Sequence, residues 1–258
     1  MIKKLLLIIM FILPVFYVPI EIFYYYDIID YKVISLTCTN LFAIIPFTSS
    51  MYYTITKQRN MILEMIPFYS IIFTSSTYHL CYNINISKYC IMYNNLYRYI
   101  DFINSYYCIS SVILYMTKIE GTYDISKKRL LIYLFQLLLI ILINIQVENE
   151  NVNIFLNILI SFIPFILSFL FNRNDVKNYF ENYNYRYLVI GILLSTLGFL
   201  IYILIYNNII KKEEYWMYHS YLWHIIMFLS SFFFFESYIY ERPLLRLFKN
   251  EQIVNINI

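Results

Sequence analysis

Three histidines occur in the 258-residue chain, His79, His219 and His224, and each falls within or at the edge of a long apolar stretch. Asp101 begins another such stretch, and Ser75 precedes His79 by four residues, which puts the two on one helix face. Ionisable groups inside apolar spans are costly and mark functional positions. Three histidines with an open fourth position form a catalytic zinc arrangement. Zinc lowers the pKa of a bound water to about 7 and polarises a carbonyl. Asp101 suits a general base or a partner that orients water or imidazole. Ser75 suits a hydrogen bond to a developing oxyanion or to the attacking water. The competing reading is that these side chains make ordinary polar contacts between helices or sit in interfacial water.

The elements that must position them are transmembrane helices. The chain is 61% hydrophobic and 14% charged, against about 25% charged in a soluble domain. Eight apolar segments can be drawn, at 5–25, 33–55, 61–83, 99–118, 130–146, 154–171, 187–209 and 216–237. Each is of the order needed to cross a hydrocarbon core of about 30 Å. With eight spans, fourteen of the 19 Lys and Arg residues fall on one side and five on the other; the richer side is cytoplasmic. The C-terminal tail is then cytoplasmic, and the loops 84–98 and 210–215 face the lumen or the exterior. His79 ends a helix running outward, whereas Asp101, His219 and His224 open helices running inward. All four therefore share the outer side, which weighs against unrelated polar contacts. Glu64 lies near the cytoplasmic end of its segment, within reach of the interface, and is set aside.

Residues 1–25 fit either a signal peptide or an extra N-terminal helix. Lys3 and Lys4 precede an apolar run as in a secretory leader, yet no small-residue cleavage site follows. The net charge of +3 and the absence of a basic tract give no indication of nucleic-acid binding, and three scattered glycines, Gly121, Gly191 and Gly198, cannot form a phosphate loop. The 30 tyrosines reflect a chain-wide bias and carry no individual weight.

Ser75 to Cys81 (SSTYHLC) resembles the S-x3-H motif, with its following Cys, of the myomaker and transmembrane-protein-8 branch of the CREST superfamily. Asn95 to Ser105 (NLYRYIDFINS) resembles that branch's Asp-Phe-x-x-Ser helix start, and Tyr215 to His224 (YWMYHSYLWH) its final H-S-x-W-H motif. The resemblance covers about residues 33–240. It implies an all-α integral membrane domain over 33–240, a seven-transmembrane-helix bundle preceded by the additional apolar segment and followed by a tail at 241–258. It also implies metal-dependent lipid hydrolysis, the chemistry shared with alkaline ceramidases and GPI-remodelling lipases of the superfamily. His79, His219 and His224 would hold zinc, with Ser75 and Asp101 as catalytic residues.

Two positions depart from the pattern. The family's last pair is usually H-x3-H, whereas His219 and His224 are five apart. In a regular α-helix this rotates the second imidazole about 140° from the first. A π-bulge would restore a common face, His219 could lie just outside the helix, or the metal site is degraded. Tyr82 stands where the branch commonly has an acidic residue.

The function expected is a zinc-dependent intramembrane hydrolase of an acyl ester or amide, with a GPI anchor or glycerophospholipid favoured and a ceramide-like amide second. The alternative is a non-enzymatic, myomaker-like membrane remodelling or fusion protein with a structural metal. An adiponectin-receptor-type receptor fits the motifs less well. The expected partner is a membrane lipid, and the expected location is the secretory pathway or plasma membrane, with the site towards the lumen or exterior. Cys81 and Cys90 share the outer side, where oxidising conditions permit a disulfide; their spacing suits the branch, and bridge and free thiols both stay open. Cys38 and Cys108 are expected as packed thiols. Asn85, Ile86 and Ser87 form a glycosylation sequon close to the membrane. Gly191 and Ser195, four apart, offer a surface on which two helices could approach closely.

Overall fold

The computed structural model describes residues 9, 12, 13, 15–20, 22, 30–56, 61–84, 90, 94–116, 127–171, 184–207, 209 and 214–237. The tail at 241–258, the sequon at 85–87, Lys211 and Lys212, and most of 1–25 lie outside them. The described residues are all-helical in their regular structure: α1 (Tyr31–Thr39), α2 (Ile44–Thr56), α3 (Ile62–Ile84), α4 (Asn94–Met116), α5 (Lys127–Gln146), α6 (Glu150–Phe171), α7 (Tyr185–Tyr206) and α8 (Ile225–Ser237). A short turn at Tyr215–Met217 and a π-helical segment at Tyr218–His224 lead into α8.

Local sequence explains the boundaries. Asp30 caps α1 by accepting from the Lys32 amide, and Asn184 caps α7 by accepting from the Arg186 amide. Between α1 and α2 the chain tightens into a 3-10 turn at Asn40–Ala43. Pro46 lies just beyond it, and a proline ring displaces the carbonyl four residues back, here that of Phe42 within the tightened turn. Asn40, fully buried, answers the Leu36 carbonyl with its amide nitrogen at 3.0 Å.

Phe47, Phe68, Ile72 and Phe235, all fully buried, centre a core shared by α2, α3, α4 and α8. Val18, in the helical stretch 15–20, is buried in the same core, and the neighbouring Tyr17 hydroxyl meets Thr77 Oγ1 at 2.7 Å. Helix α3 lies along α4, and α7 lies along α8. The second pair meets through glycines. A Cβ at Gly198 would stand 2.7 Å from Met227 Sδ, and one at Gly191 would stand 3.1 Å from the Phe234 ring. The Gly191 carbonyl accepts from Ser230 Oγ at 2.9 Å. Close approach thus uses Gly191 with Gly198, two turns apart. Ser195 instead bonds its own helix at Ile192 O, 2.9 Å away.

The outward faces are apolar. Leu131, Phe135, Phe155 and Leu193 are each at least 61% exposed. Among the described residues, two helical stretches, Tyr31–Thr54 and Tyr185–Ile205, are long and apolar enough to cross a membrane, with mean hydropathy 1.4 and 2.7. Only 17% of the second is buried. Apolar surface on this scale marks contact with lipid or with other protein.

The interior carries one correction to the sequence reading. Glu64 does not reach an interface; it is fully buried and accepts a hydrogen bond from the Tyr133 hydroxyl of α5. It lies one turn before Phe68 on α3, and the α4–α5 packing closes over it. Tyr133→Phe keeps the ring and deletes this donor. It is expected to destabilise the purified protein by about 1–3 kcal/mol, because a buried carboxyl loses a partner. A thermal unfolding midpoint equal to that of wild type would show that the pair carries no stability.

Candidate metal centre

The five-residue interval between His219 and His224 is accommodated by the backbone. Residues Tyr218–His224 form a π-helix, in which i→i+5 bonding closes each turn on the fifth residue. The two imidazoles consequently face the same way, with ring centroids 4.6 Å apart. Of the three outcomes open in the sequence, the structure contains the π-bulge.

Aromatic packing holds this turn in place. Trp223 leaves the π-helix on another side and packs against Phe199 and Tyr202 of α7, at centroid distances of 5.8 and 5.0 Å. Trp216 packs edge-on against Tyr31 at the start of α1, 5.4 Å away. Below it, Gly198 lets α7 close onto Met227. A regular α-helix would have to give up either the common imidazole face or the register of these tryptophans.

His79 enters from α3. Its ring lies 5.4 Å from that of His219 and 5.3 Å from that of His224. Ligand nitrogens of the three all lie within 4.8 Å of one another, so the cluster could hold a metal ion. Zn–N bonds of 2.0–2.1 Å in a tetrahedron set nitrogens about 3.3–3.4 Å apart, a distance small side-chain rotations can reach. His79 and His224 are buried at 5% and 6% exposure. Buried imidazoles with no carboxylate inserted between them suit a neutral, metal-ligating state.

His224 is oriented by a residue that the sequence reading did not single out. Thr39 Oγ1 donates to the Leu36 carbonyl at 3.1 Å and lies 3.0 Å from His224 Nδ1. A hydroxyl has one proton, so with that proton on Leu36 O it accepts from Nδ1–H. His224 then presents the lone pair of Nε2, the tautomer a metal ligand needs. The available signal was the polar run Thr37-Cys38-Thr39-Asn40 inside an apolar segment.

Asp101 and Ser75 lie beside the histidines, both buried. The Ser75 hydroxyl is within hydrogen-bonding reach of the Asp101 carboxyl, while Asp101 Oδ1 has no hydrogen-bond partner among the described residues. The two helices that carry them are pinned one turn away. Ser70 Oγ donates to Asn104 Oδ1 at 2.9 Å, and Asn104 Nδ2 donates to Thr74 Oγ1 at 3.3 Å. Asp101, His219 and His224 border one cavity, which Ser105, Tyr106 and Ile154 also line. Ser75 joins the site through Asp101. Ser105 belongs to the cavity although only its motif, and not the residue, stood out in the sequence.

Cys81, two residues past His79, is disulfide-bonded to Cys90 with a Cα–Cα distance of 5.8 Å. The bridge ties the last turn of α3 to the connection that leads into α4. Cys38 is partly buried and Cys108 buried, both as free thiols.

A family model described as "Protein of unknown function (DUF3522)" matches residues 30–225. The match begins at the cap of α1, ends one residue beyond His224, and contains Ser75, His79, Asp101 and His219. No curated protein matches the chain.

If Thr39 fixes the His224 tautomer, Thr39→Val should weaken zinc binding about 10- to 100-fold, the range for losing a group that orients a ligand. Competition titration of the purified protein with a chromophoric chelator measures this. Unchanged affinity would remove Thr39 from the site.

Proposed function

We propose, for a chain that belongs to the DUF3522 family of unknown function, a zinc-dependent lipid hydrolase working within the membrane. The observation that carries this reading is the π-helical turn, which aligns His219 and His224 with His79 beside the buried Asp101. Three imidazoles without a thiolate or carboxylate among them suit zinc with one position left open. The resemblance of the same residues to the CREST superfamily supports the identity of the metal and the class of reaction.

When bound, zinc supplies Lewis acidity, lowering the pKa of a coordinated water and polarising an acyl carbonyl. The chain's own residues supply the rest. Asp101 lines the cavity and has an oxygen without a hydrogen-bond partner among the described residues; it takes the proton from the attacking water and passes it to the leaving oxygen or nitrogen. Ser75 holds the carboxyl in place. Thr39 keeps His224 Nδ1 protonated. The apolar cavity wall, with Phe102, Phe199 and Trp223, limits the access of bulk water to the histidines. The bond broken is an acyl ester or amide; a GPI anchor or glycerophospholipid is the favoured substrate.

Apolar outward faces and two span-length helices support a membrane setting. The Cys81–Cys90 disulfide supports an oxidising compartment at the site's end of the bundle, with the C-terminal tail in the cytoplasm. The protein then belongs to the secretory pathway or plasma membrane, as a seven-helix bundle to which the N-terminal segment adds.

The test is release of fatty acid from a fluorescent phospholipid by zinc-loaded, full-length protein in nanodiscs. His79→Ala and Asp101→Asn should each lower turnover at least about 100-fold, Asp101→Asn with zinc retained. A zinc-loaded wild type that releases no fatty acid, while His79→Ala impairs fusion of proteoliposomes, would replace the hydrolase with the remodelling reading.

A further inference from the structure

The serine that lines the cavity at the histidines is Ser105. Asp101, Ser105 and Ile109 follow one another at intervals of four, so they form one stripe of α4 along the cavity wall. His219 and His224 of the π-helix and Phe199 of α7 line the same cavity. A serine in an apolar helix ordinarily returns its proton to a carbonyl three or four residues back. Ser111 does so to Cys108, Ser161 to Asn157 and Ser231 to Met227, at 2.8, 2.8 and 2.9 Å. Ser105 does not: it is half-buried, and its hydroxyl has no hydrogen-bond partner among the described residues. Ser75 is placed differently. It is 2% exposed, bonds to the Asp101 carboxyl and is not part of the cavity wall, so it holds the base and does not face the substrate.

Resting on the hydrolase reading for its setting, we propose that Ser105 is a further catalytic residue, whose hydroxyl donates to the carbonyl oxygen of the scissile acyl group. As Asp101 takes the proton of the attacking water, the water oxygen bonds to the acyl carbon and the carbonyl electron pair moves onto its oxygen. Negative charge there is disfavoured beside the carboxyl and favoured one turn further along the stripe, at the Ser105 donor. The hydrogen bond strengthens as that charge develops, so it lowers the barrier more than it tightens substrate binding. When the pair returns, the C–O or C–N bond breaks and the leaving atom receives the proton from Asp101; Ser105 keeps its own throughout. Ile109, Ile154 and Phe199 beside it offer no competing acceptor in their side chains, and such surroundings strengthen a hydrogen bond.

Full-length, zinc-loaded protein in nanodiscs is assayed for turnover of a fluorescent phospholipid and for binding of two analogues. One carries a tetrahedral, anionic phosphonate in place of the ester; the other is an ether lipid with no carbonyl. Ser105→Ala should lower kcat about 10- to 100-fold, the worth of one hydrogen bond to a charged oxygen, with KM within about twofold of wild type. Phosphonate affinity should fall by a similar factor, while ether-lipid affinity and zinc content stay at wild-type values. Ser105→Thr, which keeps a hydroxyl, should recover most of the loss. Undiminished turnover and phosphonate affinity in Ser105→Ala would overturn the assignment. Equal weakening of both analogues, or loss of zinc, would overturn it too, by marking a packing role. Wild-type hydrolysis that Ser105→Ala leaves intact would sink the Ser105 role alone. Phosphonate binding that depends on Ser105, in a wild type that releases no fatty acid, would sink the hydrolase alone.

Discussion

The site depends on one extra residue in one helical turn. His219 and His224 are five apart, and a turn that closes on the fifth residue aims both at His79. A π-turn is poorly favoured in isolation, so its neighbours must hold it. Trp223 against Phe199 and Tyr202, and Trp216 against Tyr31, fix the other faces of the same segment. Helix α7 can come close enough to do so because Gly198 carries no side chain. The clustering of the three imidazoles and the packing of the last helix are therefore one constraint, met together.

Around that turn, polar groups are placed in a connected set. Thr39 joins α1 to His224, and Ser76 donates to the Thr37 carbonyl to join α1 to α3. Ser70, Thr74 and Asn104 join α3 to α4, with Ser75 and Asp101 one turn further on. At the opposite end Glu236 accepts from Ser49 and Tyr53, both at 2.6 Å. Hydrogen bonds between helices matter most where water is absent, since each unmet polar group is costly there. They also fix depth along the bundle, which apolar contact alone does not.

Much of this was legible in the sequence because apolar length and rare polar residues are strong signals. The segment drawn at 61–83 is α3 at Ile62–Ile84, and that at 216–237 contains the π-turn and α8. The segment drawn at 99–118 begins late, because α4 starts at Asn94. Apolar windows find the part of a helix that shuns water, whereas Asn94, Asn95 and Arg98 form its polar first turns. Glu64 was misplaced for the converse reason: position near a segment end does not reveal that Tyr133 closes over it. Thr39 was missed because one hydroxyl in a helix ordinarily bonds its own backbone. Only the partner across the bundle, 185 positions away, distinguishes it.

In the proposed site the π-turn assembles the three histidines into a metal centre. Metal analysis and zinc X-ray absorption on purified, full-length protein test it most directly. About one zinc per chain is expected, bound by three imidazole nitrogens at about 2.0–2.1 Å and lost in His219→Ala. A zinc-free wild type, or zinc binding that survives the His219 substitution undiminished, would contradict it.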